Sequence, residues 1–469
     1  MDSLPNSLNP NKRLKEEFVS NLTGSSMLEI AALSTLIPIV ILVRHSIGFN
    51  RIVDPVTIDI KRKKNDDAKD CSTSWSDYMA TLFMDFILIV LPILVFFTVL
   101  AEWTYILVIL LTLLLILCAV AKRLSSYSPP REGGLLSLRE NISSYRVATM
   151  MITCLCILAV DFRIFPRRYA KTETYGTSWM DLGVGSFVVA NALVSRQARN
   201  ISSMKWKSAI QSTAPLIILG FVRLLTTAGV DYQVHVGEYG MHWNFFFTLA
   251  AISALTSIVN VPPQYCGILG SLVLVGYQYC LLNGLNLYLL SNNRGTDLIS
   301  QNKEGVYSIL GYWGMYLLGV QLGNFLFFGN HSSATMRSNE WARIRASILS
   351  FLFWSLTVFL DSYVERVSRR MCNLAYVTMV LAINLQVLAI LMLSDFIPGS
   401  KSSVLEAACN RNLLATFLLA NVLTGLVNLS VDTLFVSSIT SLSILILYAF
   451  ILSFTIGLVD YNGIRLKFW

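Results

Sequence analysis

The stretch DFRIFPRRYAKTETYGTSWMDLG (161–183) holds Asp161, Arg163, Arg167, Arg168, Lys171, Glu173 and Asp181. Carboxylates, an amine and three guanidiniums so close together can accept a proton, stabilise an oxyanion and grip a phosphate. A second polar stretch, DYQVHVGEYGMHWNFFF (231–247), carries His235, His242, Trp243 and Asn244 but no lysine or arginine. Imidazole exchanges protons near neutral pH, and aromatic residues favour a membrane–water boundary. Between the two, Arg223 interrupts the apolar run GFVRLLTTAG (220–229). A carboxylate at membrane depth needs a cation, so Asp181 or Asp161 is expected beside Arg223.

These residues support two readings. In one, the basic residues snorkel to lipid phosphates with Asp161 as a local ion-pair partner, Gly183 and Gly185 serve close helix packing, and Trp243 with Phe245–Phe247 forms an aromatic belt. In the other, the two stretches form one polar reaction mouth opening on apolar walls. Both require apolar elements around them. Hydrophobic residues make up 54% of the 469 and charged residues only 14%, beyond what a soluble domain buries. The fold class expected is all-α, a polytopic integral membrane protein of about 13 transmembrane helices. Runs long enough for a bilayer core of roughly 30 Å centre on 27–43, 79–99, 102–121, 147–162, 177–195, 208–228, 243–260, 265–290, 306–328, 345–361, 372–394, 412–428 and 433–457. Pro166 is expected to end the fourth helix near Phe165, and Asp181 falls inside the fifth run. The corresponding division is an N-terminal arm (1–26), a single transmembrane domain (27–457) and a C-terminal tail (458–469).

The net charge of +8 reflects orientation rather than a nucleic-acid partner. Loops 44–78, 122–146 and 196–207 hold sixteen lysines and arginines, against seven on the other side. The positive-inside rule then makes the C-terminus cytosolic and puts the N-terminus and the 161–183 stretch on the opposite face. The KRKK run (61–64) is either a topological stop or an attraction for anionic lipid headgroups and coenzyme A. The eight cysteines include no CxxC pair, and six of them (Cys118, Cys154, Cys156, Cys266, Cys280 and Cys372) sit in apolar runs. Neither a disulfide framework nor a metal is expected.

Six strings, KEEFVSNLTGSS (15–26), the 161–188 stretch, EYGMHWNFFFTL (238–249), NKEGVYSILGY (302–312), SRRMCNLAY (368–376) and NRNLLATFLLANVLTGLVNLSVDT (410–433), closely resemble the PIG-W/Gwt family of inositol acyltransferases. The resemblance runs in order along nearly the whole chain. It implies an endoplasmic reticulum enzyme of glycosylphosphatidylinositol (GPI) anchor assembly, with thirteen spans and a lumenal N-terminus. The implied reaction moves a fatty acyl group, typically palmitoyl, from acyl-CoA as co-substrate to the 2-hydroxyl of inositol in glucosaminyl-phosphatidylinositol, with membrane lipids as surroundings and no further cofactor. The family's reactive Asp and Lys fall on Asp161 and Lys171. Tyr169 stands where Phe is common and Ala375 where Pro is common, and neither change removes an ionisable group.

On that resemblance Asp161 would act as general base, and Lys171 would either stabilise the oxyanion or hold Asp161 ionised. Arg163, Arg167, Arg168, Glu173, Asp181, Arg223, His242, Trp243 and Asn244 would form the surrounding substrate-binding set. A polytopic transporter is the alternative, but the halves show no internal repeat and the polar residues gather at one interface rather than at the midplane.

Overall fold

An apolar chain in lipid must satisfy its backbone N–H and C=O groups internally, and the helix does so within one segment. The computed structural model describes residues 14, 17–47, 75–125, 134–201, 206–227, 236–329, 336–397 and 403–466; KRKK (61–64), Asp231 and His235 lie outside them. The principal helices are α1 (Met27–Ile47), α2 (Trp75–Phe97), α3 (Ala101–Leu124), α4 (Gly134–Ala159), α5 (Leu182–Leu193), α6 (Trp206–Thr227), α7 (Phe245–Val259), α8 (Pro263–Leu290), α9 (Lys303–Gly323), α10 (Asn339–Tyr363), α11 (Leu374–Leu391), α12 (Leu413–Ser430) and α13 (Ser438–Tyr461). Among the described residues there are no strands, only isolated bridges from Gly24 and Ser25 to Thr177.

The chain is a multi-pass membrane protein. Among the described residues nine helices are long and apolar enough to span a bilayer, not thirteen. The runs at 177–195, 208–228, 243–260 and 306–328 fall on helices that do not meet that measure. α5 has 12 residues and α7 has 15, about 18 and 23 Å at the helical rise. Among the described residues the apolar stretch of α6 is Thr213–Thr226, and α9 opens on Lys303 and Glu304.

Helix α11 is the hub. It packs against α1, α4, α5, α9 and α10, and 78% of its apolar stretch is buried, against 11% in α3, which is therefore an outer, lipid-facing helix. Short α5 is held against α9 by small residues. A Cβ on Gly319 would press on Ala192, and one on Gly323 would strike the Leu193 carbonyl, so the two backbones meet directly.

The ends of these helices bring four connections and the arm together. Glu173 N–H donates to the Leu22 carbonyl, Gly176 N–H to Val367 and Met241 N–H to Gln301. Two boundaries differ from expectation. α4 stops at Ala159, well before Pro166, and Asp181 precedes α5 as its N-cap residue rather than lying inside it.

Candidate functional site

Arg167 gathers the turn that follows α4. Its Nη2 donates to the carbonyls of Val160 (2.8 Å), Phe165 (2.9 Å) and Phe162 (3.1 Å), all beyond the last residue of the helix. Phe162 and Phe165 are fully buried and anchor the turn. Burial lowers the Arg167 guanidinium to about 10, with Asp161 opposing the shift. The arm lies across this loop. Phe18 stacks under Arg167 at 4.0 Å, Asn21 N–H donates to Glu173 Oε2 (2.6 Å) and Ser25 N–H to the Thr177 carbonyl (2.7 Å). Gly176, at φ +126°, is required there, since a Cβ would meet the Thr23 carbonyl oxygen at 2.1 Å.

Four charges form a chain behind the loop. Lys171 Nζ donates to both oxygens of Glu238 (2.8 and 3.0 Å), Arg369 Nη1 donates to Glu238 Oε1 (3.1 Å), and Arg369 Nε donates to Asp181 Oδ1 (2.9 Å). Asp181 also accepts from Thr172 N–H (3.1 Å) and Thr172 Oγ1 (2.7 Å). Burial alone would raise the Glu238 carboxyl, but Lys171 and Arg369 override it and hold the group down at about 2. Burial likewise disfavours charge on Arg369, yet Glu238 and Asp181 together raise it above the ordinary guanidinium value.

Two cavities meet at this chain. The first, about 200 Å³, is largely apolar and follows one face of α4 through Tyr145, Ala148, Thr149, Ile152, Thr153, Cys156 and Ile157 to Val160. That stripe, at the spacing of one helix face, extends about 22 Å. Phe187, Phe417, Ile383 and Val387 close it from α5, α12 and α11. The second, about 220 Å³, contains Asp161, Lys171, Thr172, Glu173, Trp243, Asn244 and Arg369 and is walled by Val19 and Leu22 of the arm. Val160, Lys171, Met180, Arg223, Glu238, Tyr239 and Phe245 line both. An ammonium and a guanidinium therefore stand where an apolar channel opens into a polar chamber. Asp161, buried at 9% exposure, faces that chamber and accepts from Asn428 Nδ2 on α12 (2.8 Å).

Of the residues singled out in the sequence, Asp161, Lys171, Glu173, Arg223, Trp243 and Asn244 share the polar cavity. Trp243 Nε1 donates to Thr248 Oγ1 (2.9 Å), and Asn244 caps α7 while donating to the Gly220 carbonyl on α6 (3.0 Å). Arg163, Arg167, Arg168, Asp181 and His242 line neither cavity. Arg163 faces the Phe435 ring. Arg168 is paired with Glu29 (2.9 Å) and Glu102 (2.6 Å). His242 is exposed, with its backbone N–H on Asn302 Oδ1 (2.7 Å). The ion pair at Asp181 is made by Arg369 of the 364–373 connection; of the two carboxylates expected beside Arg223, Asp161 is the one that shares the polar cavity with it. Arg223 also contributes to the field that holds Glu238 ionised.

Glu238, Arg369 and Asn428 carry the site but were not in the expected set. Each lies in a string quoted above, at 238–249, 368–376 and 410–433. For Arg369 and Asn428 that position was the signal, while Glu238 is also a carboxylate of the second polar stretch, 231–247. Among the described residues no cluster of His, Cys, Asp and Glu is arranged for a metal ion.

Comparison with known proteins accounts for almost the whole chain. It is 61% identical to an uncharacterized protein of Arabidopsis thaliana over 437 residues, covering 92% of this chain and 99% of that one. It is 35% identical to the phosphatidylinositol-glycan biosynthesis class W protein of Dictyostelium discoideum over 511 residues (97% and 98%). It is 37% identical to the GPI-anchored wall transfer protein 1 of Aspergillus oryzae over 519 residues (97% and 99%). The sequence model of the GWT1 family matches residues 11–459, and the chain belongs to that family.

Proposed function

We propose that the protein transfers a fatty acyl group, palmitoyl in particular, from acyl-CoA to the 2-hydroxyl of inositol in glucosaminyl-phosphatidylinositol during GPI-anchor assembly. The relatives named for phosphatidylinositol-glycan biosynthesis and for GPI-anchored wall transfer support the pathway. The observation that carries the chemistry is the junction at Lys171, where a narrow apolar channel meets the polar chamber holding Asp161. The channel follows α4 for about 22 Å, a length suited to a long extended acyl chain. Its mouth would place the thioester carbonyl beside Lys171 and the inositol ring beside Asp161.

Asp161 takes the proton from the inositol hydroxyl as that oxygen bonds to the acyl carbon. The carbonyl becomes an oxyanion beside the Lys171 ammonium. The C–S bond then breaks, coenzyme A leaves as its thiolate, and the proton on Asp161 returns to the departing sulfur. Asn428 orients the base, while Arg369 keeps Glu238 neutralised when Lys171 turns to the oxyanion. Transfer is direct, without an acyl-enzyme. The polar groups lie at one end of the bundle, which suits chemistry on a lipid headgroup better than passage through the midplane. In this reading α1 to α13 form a single transmembrane domain in the endoplasmic reticulum membrane, with a lumenal N-terminus, a lumen-facing site and a cytosolic C-terminus.

The test is acyl transfer by the purified full-length protein from labelled acyl-CoA to glucosaminyl-phosphatidylinositol. Asp161→Asn keeps the shape and the Asn428 contact but removes the base, so turnover should fall by about 10² to 10⁴ with folded protein undiminished. Lys171→Ala should cause a comparable loss. Near-normal turnover in Asp161→Asn removes the general base from this scheme, and no acylated lipid from the unmodified protein removes the reaction itself.

A further inference from the structure

On the face opposite the Asp161 chamber, five arginines from separate segments converge. Arg139 and Arg146 belong to α4, Arg199 follows α5, Arg337 precedes α10 and Arg345 lies in its second turn. Their contacts fix the grouping. Asn324 Nδ2 donates to the carbonyls of Ala198 (3.0 Å) and Gly329 (2.9 Å), tying the turn that carries Arg199 to the end of α9. Arg199 lies over the Phe328 ring at 5.6 Å, next to Gly329, against which the Arg337 guanidinium rests. Arg337 and Arg345 share the Trp341 ring at 4.1 and 3.7 Å. Arg139 Nε points at Met336 Sδ (3.3 Å), and Arg146 has Arg199 as its charged neighbour.

Among the described residues no carboxylate lies within ion-pair distance of any of the five. The Nε of Arg337 is buried without an acceptor. Asp395, on the same face, is already held by Arg343, Asn339 and Ser137. Glu140 and Glu340, on the same helices, leave the cluster well in excess of positive charge. Arg146 is half-buried in α4, at a depth where a charge is costly without a counter-ion. Stacking on Trp341 and Phe328 stabilises Arg337, Arg345 and Arg199, but it does not neutralise like charges held together.

We propose that this cluster binds a phosphate-bearing anion. Guanidinium forks match phosphate oxygens bidentately, and several such forks on one face suit a group carrying more than one phosphate charge. Two sources share this chemistry: the phosphates of coenzyme A, and the headgroup of an anionic phospholipid in the adjoining leaflet. The inference stands on the arginine cluster alone and does not require the acyl-transfer reading.

The experiment uses the full-length protein in phosphatidylcholine nanodiscs. Coenzyme A is titrated in one arm. In the other, phosphatidylinositol 4-phosphate is added to the disc and its retention is followed by native mass spectrometry. At least one probe should bind, more weakly as salt is raised. Arg199→Gln with Arg337→Gln should weaken that binding by at least about tenfold, the effect of losing a single charge-assisted hydrogen bond. The lysine pair at these positions should lose less. A loss confined to coenzyme A identifies the nucleotide as the ligand, and a loss confined to the lipid identifies the headgroup. Arg199→Gln alone, at an exposed position, gives a folded variant should the pair be unstable. Binding of both probes unchanged in folded variants, or of neither by the unmodified protein, overturns the proposal. Asp161→Asn should bind the probe as the unmodified protein does, so failure of acyl transfer and failure of this site are separable.

Discussion

Replacing Arg369 with alanine probes the charge chain at its centre. The Arg369 side chain is 5% exposed and that of Asp181 1%. Removing one member of so buried a pair leaves a carboxylate without its cation, a change that costs about 3–5 kcal/mol. Glu238 keeps Lys171 at 2.8 Å, so the loss falls mainly on Asp181. Thr172 continues to donate to Asp181 through its amide and its hydroxyl, which places the expected cost near the lower end, about 3 kcal/mol. That is more than a hundredfold in the folding equilibrium, at about 1.4 kcal/mol per decade. Equilibrium unfolding in mixed detergent–SDS micelles, followed by tryptophan fluorescence, measures it. Adding Asp181→Asn to Arg369→Ala should recover much of the loss, because an amide needs no cation. A cost below about 1 kcal/mol, or a double variant no more stable than Arg369→Ala, would refute the assignment of Arg369 as the counter-ion of Asp181.

Gly183 lines the apolar channel, and a Cβ there meets nothing within 4 Å. Gly183→Leu should therefore fold normally yet cut transfer from long-chain acyl-CoA by at least about tenfold, with short chains affected less; equal losses at all chain lengths would count against the channel. At Gly185 a Cβ would sit 2.9 Å from the Val380 methyls and 3.0 Å from the Tyr376 hydroxyl, so Gly185→Ala should destabilise by about 1–3 kcal/mol in the same unfolding assay. Replacing all eight cysteines by Ala or Ser should leave substantial activity and sequential kinetics, since the described cysteines near the site, Cys154 and Cys156, are buried in α4; labelled acyl group trapped on the protein from acyl-CoA alone would contradict direct transfer. A glycosylation tag after Trp469 should remain unmodified and one placed ahead of Met1 should be modified, and the reverse pattern would place the site on the cytosolic face.

Much of this arrangement was legible locally. The long apolar runs of α3, α11 and α13 marked membrane-spanning helices, and the charges crowded at 161–173 marked the loop that lines the polar chamber. Partner choice was not legible. Arg223 is the next cation along the chain after Asp181 inside an apolar run, whereas Arg369 lies 188 residues away in a dipeptide that reads as one more interfacial basic pair. Only tertiary folding brings it in. Arg167 looked like a phosphate ligand because its type says so, but the turn at Phe162–Phe165 presents three carbonyls to it, a backbone geometry that composition does not reveal. Gly183 and Gly185 looked alike in sequence. Two residues apart on one helix they face different surroundings, one a channel and the other the side chains of α11. The short helix α5 was overextended in the reading because apolar residues such as Trp179 continue ahead of its Asp181 cap into a loop buried by protein.

The arm, the 161–181 loop and the Glu238 turn are all made long before Arg369. At roughly 5–20 residues per second, Asp181 waits on the order of ten to forty seconds for the cation that lies 188 residues downstream. During that interval the growing chain holds a carboxylate close to the membrane with its neutralising partner still unmade. Chains interrupted before the connection at 364–373 therefore lack the counter-ion of Asp181, and complete chains gain it only when that connection folds onto the loop.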